Sequence, residues 1–434
     1  MAPSFNPLDS EKNPTSSSLS LPVTFHPHHP PEKCEDSSDL PPPDGGARAW
    51  TQVLVAHLVA VNAWGYLNSF GLFQSHYQEA LPTVSPSRIS LVGSLQIFLS
   101  FLIGSLSGRA LDAGYLRPCL ALGSALQIIG IFTTSVATRY WHFVLAHGLC
   151  KGLGDGLVFT PATAVVGTYF RRKRALAMGI GAAGTATGGL IFPVIAQRLM
   201  GRIGFAWTVR VMGCVVVVNA GVIMACSRAR LVGRRGPLFE WRAFRERPYT
   251  LFCVGMFLNW WALYFAFFYI SVFAKNKLGI DGPTSLTLLL VMNAAGGPSR
   301  VIFGLLADKW HGPLQIIIPL AFCTGVLFYS WAAVHSLGGL FAFCITYGFI
   351  ASGVAGLFPP ACAGLATDLK SVGARTGMCF AVVSFATLTG PPIGGALVQL
   401  NHGGYLYGQI FGGSAFMVGT LCLVAAKITI SRGR

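Results

Sequence analysis

Residues 249–273 read YTLFCVGMFLNWWALYFAFFYISVF, a run in which no side chain is charged. An α-helix rises about 1.5 Å per residue, so roughly 20 apolar residues cross the hydrocarbon core of a bilayer. This run is long enough to span a membrane as a helix. It predicts that the chain is a membrane protein.

The rest of the chain has the same character. Hydrophobic residues make up 53% of its 434 residues, charged residues only 11%, and the mean hydropathy is +0.59. Soluble domains average about 25% charged residues, whereas a surface that faces lipid needs few charges. Further apolar stretches predict an all-α membrane protein with 12 transmembrane helices. The predicted spans are residues 50–73, 87–107, 118–137, 142–166, 175–197, 205–226, 249–273, 284–306, 314–334, 338–362, 374–398 and 404–427.

The distribution of Lys and Arg predicts the orientation. The formal net charge is +16, which in a soluble protein would point to nucleic acid, but here the basic residues lie in short loops between apolar stretches. With a cytoplasmic N-terminus, nineteen Lys and Arg side chains lie in inside loops and the C-terminal tail, and six lie outside. Because basic residues favour the cytoplasmic side, we expect both termini in the cytoplasm. We expect residence in the plasma membrane and no nucleic-acid partner.

Five ranges divide the chain. The first is rich in Pro, Ser and charge, so it cannot bury enough apolar area to fold. The predicted ranges are a disordered cytoplasmic N-terminal tail (1–49), a six-helix half (50–226), a cytoplasmic central loop (227–248), a second six-helix half (249–427) and a cytoplasmic C-terminal tail (428–434).

The two halves share motifs. Gly108-Arg-Ala-Leu-Asp112 follows the second span, and Gly304-Leu-Leu-Ala-Asp308 follows the eighth, 196 residues later. Arg174 and Arg375 begin the glycine-rich fifth and eleventh spans, 201 residues apart. Two motif pairs at nearly one offset predict pseudo-symmetric halves. Such repeats are common in secondary transporters, whose solute binds between the repeats near the bilayer midplane.

The duplicated loops are candidate gates. Each has a glycine, which permits close backbone approach, and an aspartate that can accept hydrogen bonds from a basic group or a helix N-terminus. Such a contact would hold one conformation and release in the other. A single loop of this kind is typical of an ordinary charged turn, and its duplication favours gating. The candidate gating residues are Gly108, Arg109, Asp112, Gly304, Asp308 and Lys309.

Ionisable side chains inside the spans are costly in lipid and are candidate functional groups. His147, Lys151 and Asp155 recur every four residues, on one face of the fourth span. The spacing allows a self-neutralised ion pair, a proton relay or an anion-binding surface, and all three interpretations stay open.

Arg300, in the eighth span, has no acidic residue three or four positions away. We expect it to bind a carboxylate substrate, which suits its planar guanidinium. The alternatives are a partner on another helix, such as Asp155, or a side chain that reaches back to the cytoplasmic surface. The polar and aromatic residues that we expect near a cavity are Asn62, Trp64, Asn68, Asn259, Trp260, Trp261, Tyr264 and Asn293.

Four stretches carry a family resemblance. Residues 43–50 (PDGGARAW) resemble the start of the first helix in the monocarboxylate-porter family of the major facilitator superfamily (MFS). Residues 169–188 (YFRRKRALAMGIGAAGTATG) are similar to that family's second signature, at the start of helix 5. Residues 68–74 (NSFGLFQ) and 207–210 (WTVR) resemble its fungal branch. The likeness covers residues 50–427.

The resemblance implies a twelve-helix fold with alternating access and a small carboxylate moved together with a proton. Arg300 lies where relatives carry an arginine proposed to bind the carboxylate. Gly296 stands where the animal lactate carriers have an aspartate, and Asn68 is the residue nearest to a lysine of their first helix. Both positions are neutral here, and the fungal branch includes transporters associated with secondary-metabolite biosynthesis. We therefore favour export of an organic product.

We predict an MFS-type secondary active transporter that exports a small organic metabolite, an organic acid or a secondary metabolite. Proton-coupled monocarboxylate uptake and a nutrient sensor without transport are the alternatives. We do not expect an enzyme, because the sequence has neither paired H-x-x-x-H boxes nor a G-x-x-x-x-G-K-[ST] loop. The eleven cysteines include no C-x-x-C pair, so no metal site or cofactor is predicted. The predicted partners are the organic substrate, a proton and the lipid bilayer.

Overall fold

The computed structural model of the chain describes residues 43–229, 240–309, 312–365 and 372–432, without the side chains of Asp112 and Val372. Most of the predicted N-terminal tail, the middle of the predicted central loop and the last two residues of the predicted C-terminal tail lie outside this description. Within it, every regular element is helical.

Twelve helical stretches follow one another along the described residues, and a short 3₁₀ helix (Trp241–Arg245) precedes the seventh. They are α1 (Ala47–Ala80), α2 (Pro86–Asp112), α3 (Leu116–Thr134), α4 (140–169), α5 (174–203), α6 (205–226), α7 (Arg247–Leu278), α8 (Gly282–Lys309), α9 (Pro313–Trp331), α10 (Leu337–Ala363), α11 (Val372–Leu400) and α12 (Leu406–Arg432).

Ten stretches of the described residues are long and apolar enough to cross a membrane. Residues Arg174–Cys226 count once among the ten, although Gly204 interrupts the helix with φ 76° and ψ 172° and thereby separates α5 from α6. A glycine tolerates this backbone conformation where other residues would be strained. α4, which carries Lys151 and Asp155, is not among the ten. The prediction of an all-helical membrane protein is confirmed, and the predicted number of twelve is consistent with the structure.

Glycines set the closest contacts between helices, and they do so at corresponding places in the first six and the last six. In the first six, a Cβ atom at Gly65 of α1 would lie 2.5 Å from the Gly188 Cα atom of α5. In the last six, Gly390 and Gly394 of α11 lie against Trp261 and Phe265 of α7. Small residues let membrane helices approach closely enough for extensive van der Waals contact. α1 therefore packs on α5 as α7 packs on α11.

The two sets of six helices meet through α2 against α11 and α5 against α8. On α5, a Cβ atom at Gly179 would come within 2.7 Å of the Arg300 carbonyl oxygen of α8. On α11, a Cβ atom at Gly377 would lie 3.2 Å from the Ser105 carbonyl oxygen of α2. Glycine at these positions permits the close approach of the two sets.

One side of the molecule holds the start of α1, the α4–α5 loop and the end of α6. The Asp44 backbone N–H donates to the Tyr169 carbonyl at 3.1 Å, and the Gln52 Nε2 atom donates to the Cys226 carbonyl at 3.1 Å. The basic residues Arg171, Arg172 and Lys173 also lie here, so we call this side the basic face. The other side is called the opposite face.

Candidate functional site

A cavity lies between the two sets of helices, in the half of the molecule toward the basic face. It contains about 720 Å³ of space free of atoms, including the part that opens outward. Helices α1, α2, α4 and α5 form one wall, and α7, α8, α10 and α11 form the other. Its lining includes Ala56, Ala60, Trp64, Phe101, Phe159, Thr163, Met178, Trp260, Tyr264, Arg300, Ala355, Gly356, Phe358 and Phe380.

Aromatic rings dominate the cavity walls and meet across the two sets of helices. The Trp64 ring centroid lies 6.3 Å from that of Trp260, and the Phe101 centroid lies 4.8 Å from Trp260 and 5.2 Å from Phe380. Edge-to-face pairs of this kind are favourable beyond the area that they bury. The cavity therefore offers an apolar, polarisable surface to a solute. Sequence reasoning named Trp64 and Trp260 and missed Phe101, Phe159, Phe358 and Phe380, because phenylalanine is common throughout the apolar spans.

Arg300 is the cationic side chain among the cavity-lining residues. It is 7% exposed, and its Nη1 atom donates to the Gly296 carbonyl of its own helix at 3.1 Å. Among the described residues no carboxylate lies within ion-pair distance of it. The alternative that Asp155 is its partner is therefore wrong, because Asp155 pairs with Lys151.

Two glycines make room for the Arg300 side chain. A Cβ atom at Gly296 would lie 3.2 Å from its Nη1 atom, and one at Gly356 of α10 would lie 3.0 Å from its Cγ atom. These glycines leave space for the guanidinium at the cavity wall. A buried charge without a counter-charge is costly.

The Lys151–Asp155 pair lies inside the first set of helices, away from the cavity lining. Lys151 Nζ donates to Asp155 Oδ1 at 2.5 Å and to the Asn62 carbonyl at 2.9 Å. Gln96 Nε2 and Gln127 Nε2 each donate to the Asp155 carboxylate at 2.7 Å. Both charged side chains are at most 1% exposed. The arrangement joins α4 to α1, α2 and α3 and leaves no net charge.

Two π-helical turns flank this pair, Val61–Gly65 in α1 and Val144–Cys150 in α4. Single π-turns inside α-helices are rare and occur frequently at functional sites. Asn62, whose carbonyl accepts from Lys151, lies within the first of these turns.

His147 does not join the pair, although it lies on the same helix face in sequence. Its Nδ1 atom is 2.9 Å from the Tyr77 hydroxyl oxygen, and its ring packs edge-on against Phe73 at 4.9 Å between centroids. His147 is 1% exposed and belongs to an aromatic cluster on the opposite-face side of Lys151. The structure thus brings two of the three predicted residues together and separates the third.

Asn68 and Asn293 connect the two sets of helices. The Asn68 Nδ2 atom donates to the Asn293 Oδ1 atom at 3.0 Å, and both side chains are buried. Asn68 lies one turn from Trp64 toward the opposite face. The hydrogen bond between the two asparagines therefore joins the two sets of helices on the opposite-face side of the cavity. Neither asparagine is among the cavity-lining residues.

The candidate gating loops are described unequally. Asp308 accepts hydrogen bonds from the backbone N–H groups of Ala175, at 3.2 Å, and Leu176, at 2.8 Å, in the first turn of α5. A Cβ atom at Gly304 would lie 2.9 Å from the Ala175 carbonyl, so this glycine allows the contact. Lys309 is exposed.

In the other loop, Gly108 lies against Thr160 of α4, where a Cβ atom would be 3.3 Å from the threonine methyl group. The Asp112 side chain lies outside the description. The structure therefore describes the contact between the loop aspartate and a helix N-terminus for one of the two loops, and the gating role stays a prediction.

Sequence reasoning missed a charged cluster on the basic face. Arg375, 1% exposed, donates to both carboxylate oxygens of Glu240 at 3.0 Å and to those of Glu246 at 2.7 Å. The hydrogen bonds from Arg375 lower the pKa of Glu240. The acidic residues come from the central loop, more than a hundred positions away from Arg375. No local sequence pattern therefore predicts the contact.

The sequence profile of the Major Facilitator Superfamily matches residues 53–369. The chain belongs to this superfamily. An MFS-type transporter of Gibberella zeae is 43% identical to it over 399 residues, which cover 90% of this chain and 89% of the relative. The aspyridones efflux protein of Emericella nidulans is 34% identical over 402 residues, covering 92% of this chain and 81% of that protein.

A solved structure has the same fold as this MFS transporter. The human organic anion transporter MFSD10 superimposes with a TM-score of 0.66 at 16% sequence identity, over 87% of this chain and 99% of the other. This likeness supports the fold, and the superfamily profile and the curated relatives confirm the prediction of an MFS-type transporter in a membrane. In this MFS transporter the aromatic cavity and Arg300 lie between the two sets of helices, where sequence reasoning placed the solute.

Proposed function

We propose that this transporter exports an organic-acid metabolite whose anionic group binds Arg300 and whose apolar body packs against the aromatic walls. The observation that carries the proposal is the buried guanidinium at the cavity wall, with no carboxylate within ion-pair distance among the described residues. An anionic solute would offset the cost of burying this charge. The similarity to the aspyridones efflux protein supports export of a secondary metabolite.

The loop contacts support a transport cycle by alternating access. We propose that Asp308 holds α8 against the first turn of α5 when the basic face is closed, and that Asp112 serves the same purpose at α11. The Asn68–Asn293 bond would hold the two sets together beyond the cavity, toward the opposite face. Gly108 and Gly304 permit the close approach, and Arg109 and Lys309 are the basic members of these loops.

We also propose finer assignments of the family, the orientation of the termini, the two halves and the membrane. The resemblance of residues 43–50 and 169–188 to two family signatures supports the monocarboxylate-porter family and its fungal branch. The excess of basic residues on the basic face supports cytoplasmic termini, and the duplicated motifs support two six-helix halves. Residence in the plasma membrane is the proposal that goes with export.

The test is efflux from cells that express the wild type or an Arg300 variant. Metabolite profiling of cells and medium, with and without the protein, first identifies the exported acid. Arg300→Ala is expected to abolish its efflux while membrane abundance stays unchanged, and Arg300→Lys to retain part of it, because lysine keeps the charge but loses the planar fork. The matched control is Arg210→Ala, since Arg210 lies in α6 beside Trp207 and Ser135, away from the cavity. Wild-type efflux by Arg300→Ala would contradict the proposal.

Proton-coupled uptake is the second candidate function, and the buried Asp155 carboxylate favours it. A carboxylate that takes up a proton would release Lys151 and loosen the contacts of α4. Measured inward flux driven by a pH gradient would favour this candidate over export.

A further inference from the structure

A second recess lies on the outer surface of the last six helices, between α9 and α12 and at the basic face. It contains about 1050 Å³ of space free of atoms, including the region onto which it opens. α9 contributes Gln315, Ile318 and Pro319, and α12 contributes Val424, Lys427, Ile428, Ser431 and Arg432. It has no contact with the cavity that holds Arg300.

The shape follows from the packing of the two helices. Midway along its length, α9 approaches α12 closely, because a Cβ atom at Gly325 would lie 3.2 Å from Phe416 and 3.4 Å from the Gly413 carbonyl. The recess lies between the same two helices nearer the basic face. Neighbouring parts of α12 expose Leu421 and Ile428 at 67% and 46%, which is the surface that faces lipid in a membrane protein.

The lining divides into an apolar part and a cationic part. Ile318 and Val424 are apolar members of the lining, one from each helix. Lys427 and Arg432 lie at the end nearest the basic face, and none of the described residues that line the recess is acidic. Among the described residues, neither cation has a carboxylate within ion-pair distance. Two unneutralised cations above an apolar groove complement a molecule with an anionic head and an apolar tail.

Pro319 adds a polar feature. A proline inside a helix has no N–H to donate to the carbonyl four residues earlier, which here belongs to Gln315. Both residues line the recess. The Gln315 carbonyl therefore lacks its usual intrahelical donor, at a residue that lines the recess, and could accept from a headgroup that carries hydrogen-bond donors as well as a phosphate.

We propose that this recess is a binding site for an anionic phospholipid, with the phosphate between Lys427 and Arg432 and one acyl chain along Ile318 and Val424. Basic pockets between membrane helices bind acidic headgroups in this way. Topology alone would explain two basic residues at a helix end, but not a groove with an apolar floor beside them.

The experiment measures lipid binding to the purified full-length protein in mixed micelles of detergent and phosphatidylcholine to which phosphatidylserine is added. Native mass spectrometry reports bound phosphatidylserine, and thermal unfolding reports the accompanying rise in Tm. The double variant Lys427→Gln, Arg432→Gln is expected to bind phosphatidylserine roughly thirty-fold more weakly, because each basic residue near the headgroups contributes about five-fold and the two factors multiply. Ile318→Trp, which fills the groove and keeps both charges, is expected to abolish the bound lipid.

The matched control is Arg242→Gln, Arg245→Gln, which removes two exposed cations from the same face but outside the recess. Equal loss in the control and in the recess variant would show general surface attraction and overturn the proposal. Unchanged binding in the recess variant or in Ile318→Trp would also overturn it. A soluble headgroup, glycerophosphoserine, is expected to give no rise in Tm. If it reproduced the full effect, the ligand would be a soluble phosphate compound that needs no acyl chain, and the lipid proposal would fail.

Discussion

Neutralising Asp155 separates a structural role of the Lys151–Asp155 pair from a role in proton coupling. In Asp155→Asn, the amide keeps one acceptor oxygen but turns an NH₂ group toward a cluster of three donors, from Lys151, Gln96 and Gln127. At least one donor loses its acceptor, and the lysine charge is buried without a counter-charge. Removing one partner of a buried ion pair costs about 3–5 kcal/mol. We therefore expect Asp155→Asn to lose about that much stability, seen as a fall in Tm of several degrees.

The double variant Lys151→Met, Asp155→Asn removes both charges and leaves no unpaired ion. Replacement of a buried ion pair by neutral groups is often neutral or stabilising, so most of the lost stability should return. If the pair is structural, efflux by the double variant keeps the wild-type pH dependence. Tm is measured by the loss of the monodisperse peak after heating in detergent, and pH dependence by efflux from cells in media of different pH.

The matched control is Asp281→Asn, since Asp281 is an exposed aspartate whose carboxylate accepts one long hydrogen bond, of 3.4 Å, at the start of α8. Little change is expected there. Two results would refute the reasoning. One is an Asp155→Asn protein as stable as the wild type. The other is a double variant with wild-type stability whose efflux no longer depends on pH, which would assign the pair to proton coupling.

Three further predictions concern contacts outside the cavity. Asp308→Ala removes both acceptors at the first turn of α5 and is expected to weaken the contact between α8 and α5 by about 1 kcal/mol. A cysteine introduced at the basic face should then be labelled faster than in the wild type. Unchanged labelling would mean that Asp308 does not act as a gate. Arg375 lowers the pKa of Glu240 in the folded state. The contribution of Glu240 to the free energy of unfolding is therefore present above the ordinary carboxyl pKa and is lost as the pH falls through the pKa of the folded state. Unfolding in acid should therefore depend less steeply on pH in Glu240→Gln than in the wild type, and equal slopes would contradict this. Asn68→Ala leaves the buried Asn293 oxygen without its donor and is expected to lower the free energy of unfolding by about 1–3 kcal/mol. The double variant Asn68→Ala, Asn293→Ala should lose less stability than the two single variants combined. A double-mutant cycle on Tm measures this difference.

Local properties of the chain carried most of the fold prediction. Membrane-spanning helices satisfy their own backbone hydrogen bonds, so apolar length alone identifies them. The clearest difference concerns α4: the predicted span 142–166 is helical, yet with Lys151 and Asp155 it is not among the stretches apolar enough to qualify by composition. In the structure the two charges offset each other as an ion pair, and Gln96 and Gln127 from neighbouring helices donate hydrogen bonds to the carboxylate.

The site was predictable only in part. Arg300 stood out because no acidic residue lies three or four positions from it in sequence, and among the described residues no carboxylate lies within ion-pair distance of it. His147 was grouped with Lys151 and Asp155 by helical spacing, but its ring lies against Tyr77 and Phe73. Helical spacing predicts which residues share a face, but not which neighbour each side chain contacts.

Hydropathy, basic loops and duplicated motifs are properties of the chain read in order, and they predicted a helical membrane protein of two related halves, to which the family resemblance added the MFS type. The choice of partner for each buried charge was settled in three dimensions. Arg375 contacts Glu240 and Glu246, Asp308 contacts the start of α5, and Arg300 contacts no carboxylate among the described residues, because helices far apart in sequence become neighbours only after packing. Spacing along the chain predicts contacts within a helix. Contacts between helices follow from the packing of glycines and aromatic rings on different helices, and no short stretch of sequence shows which helices pack together.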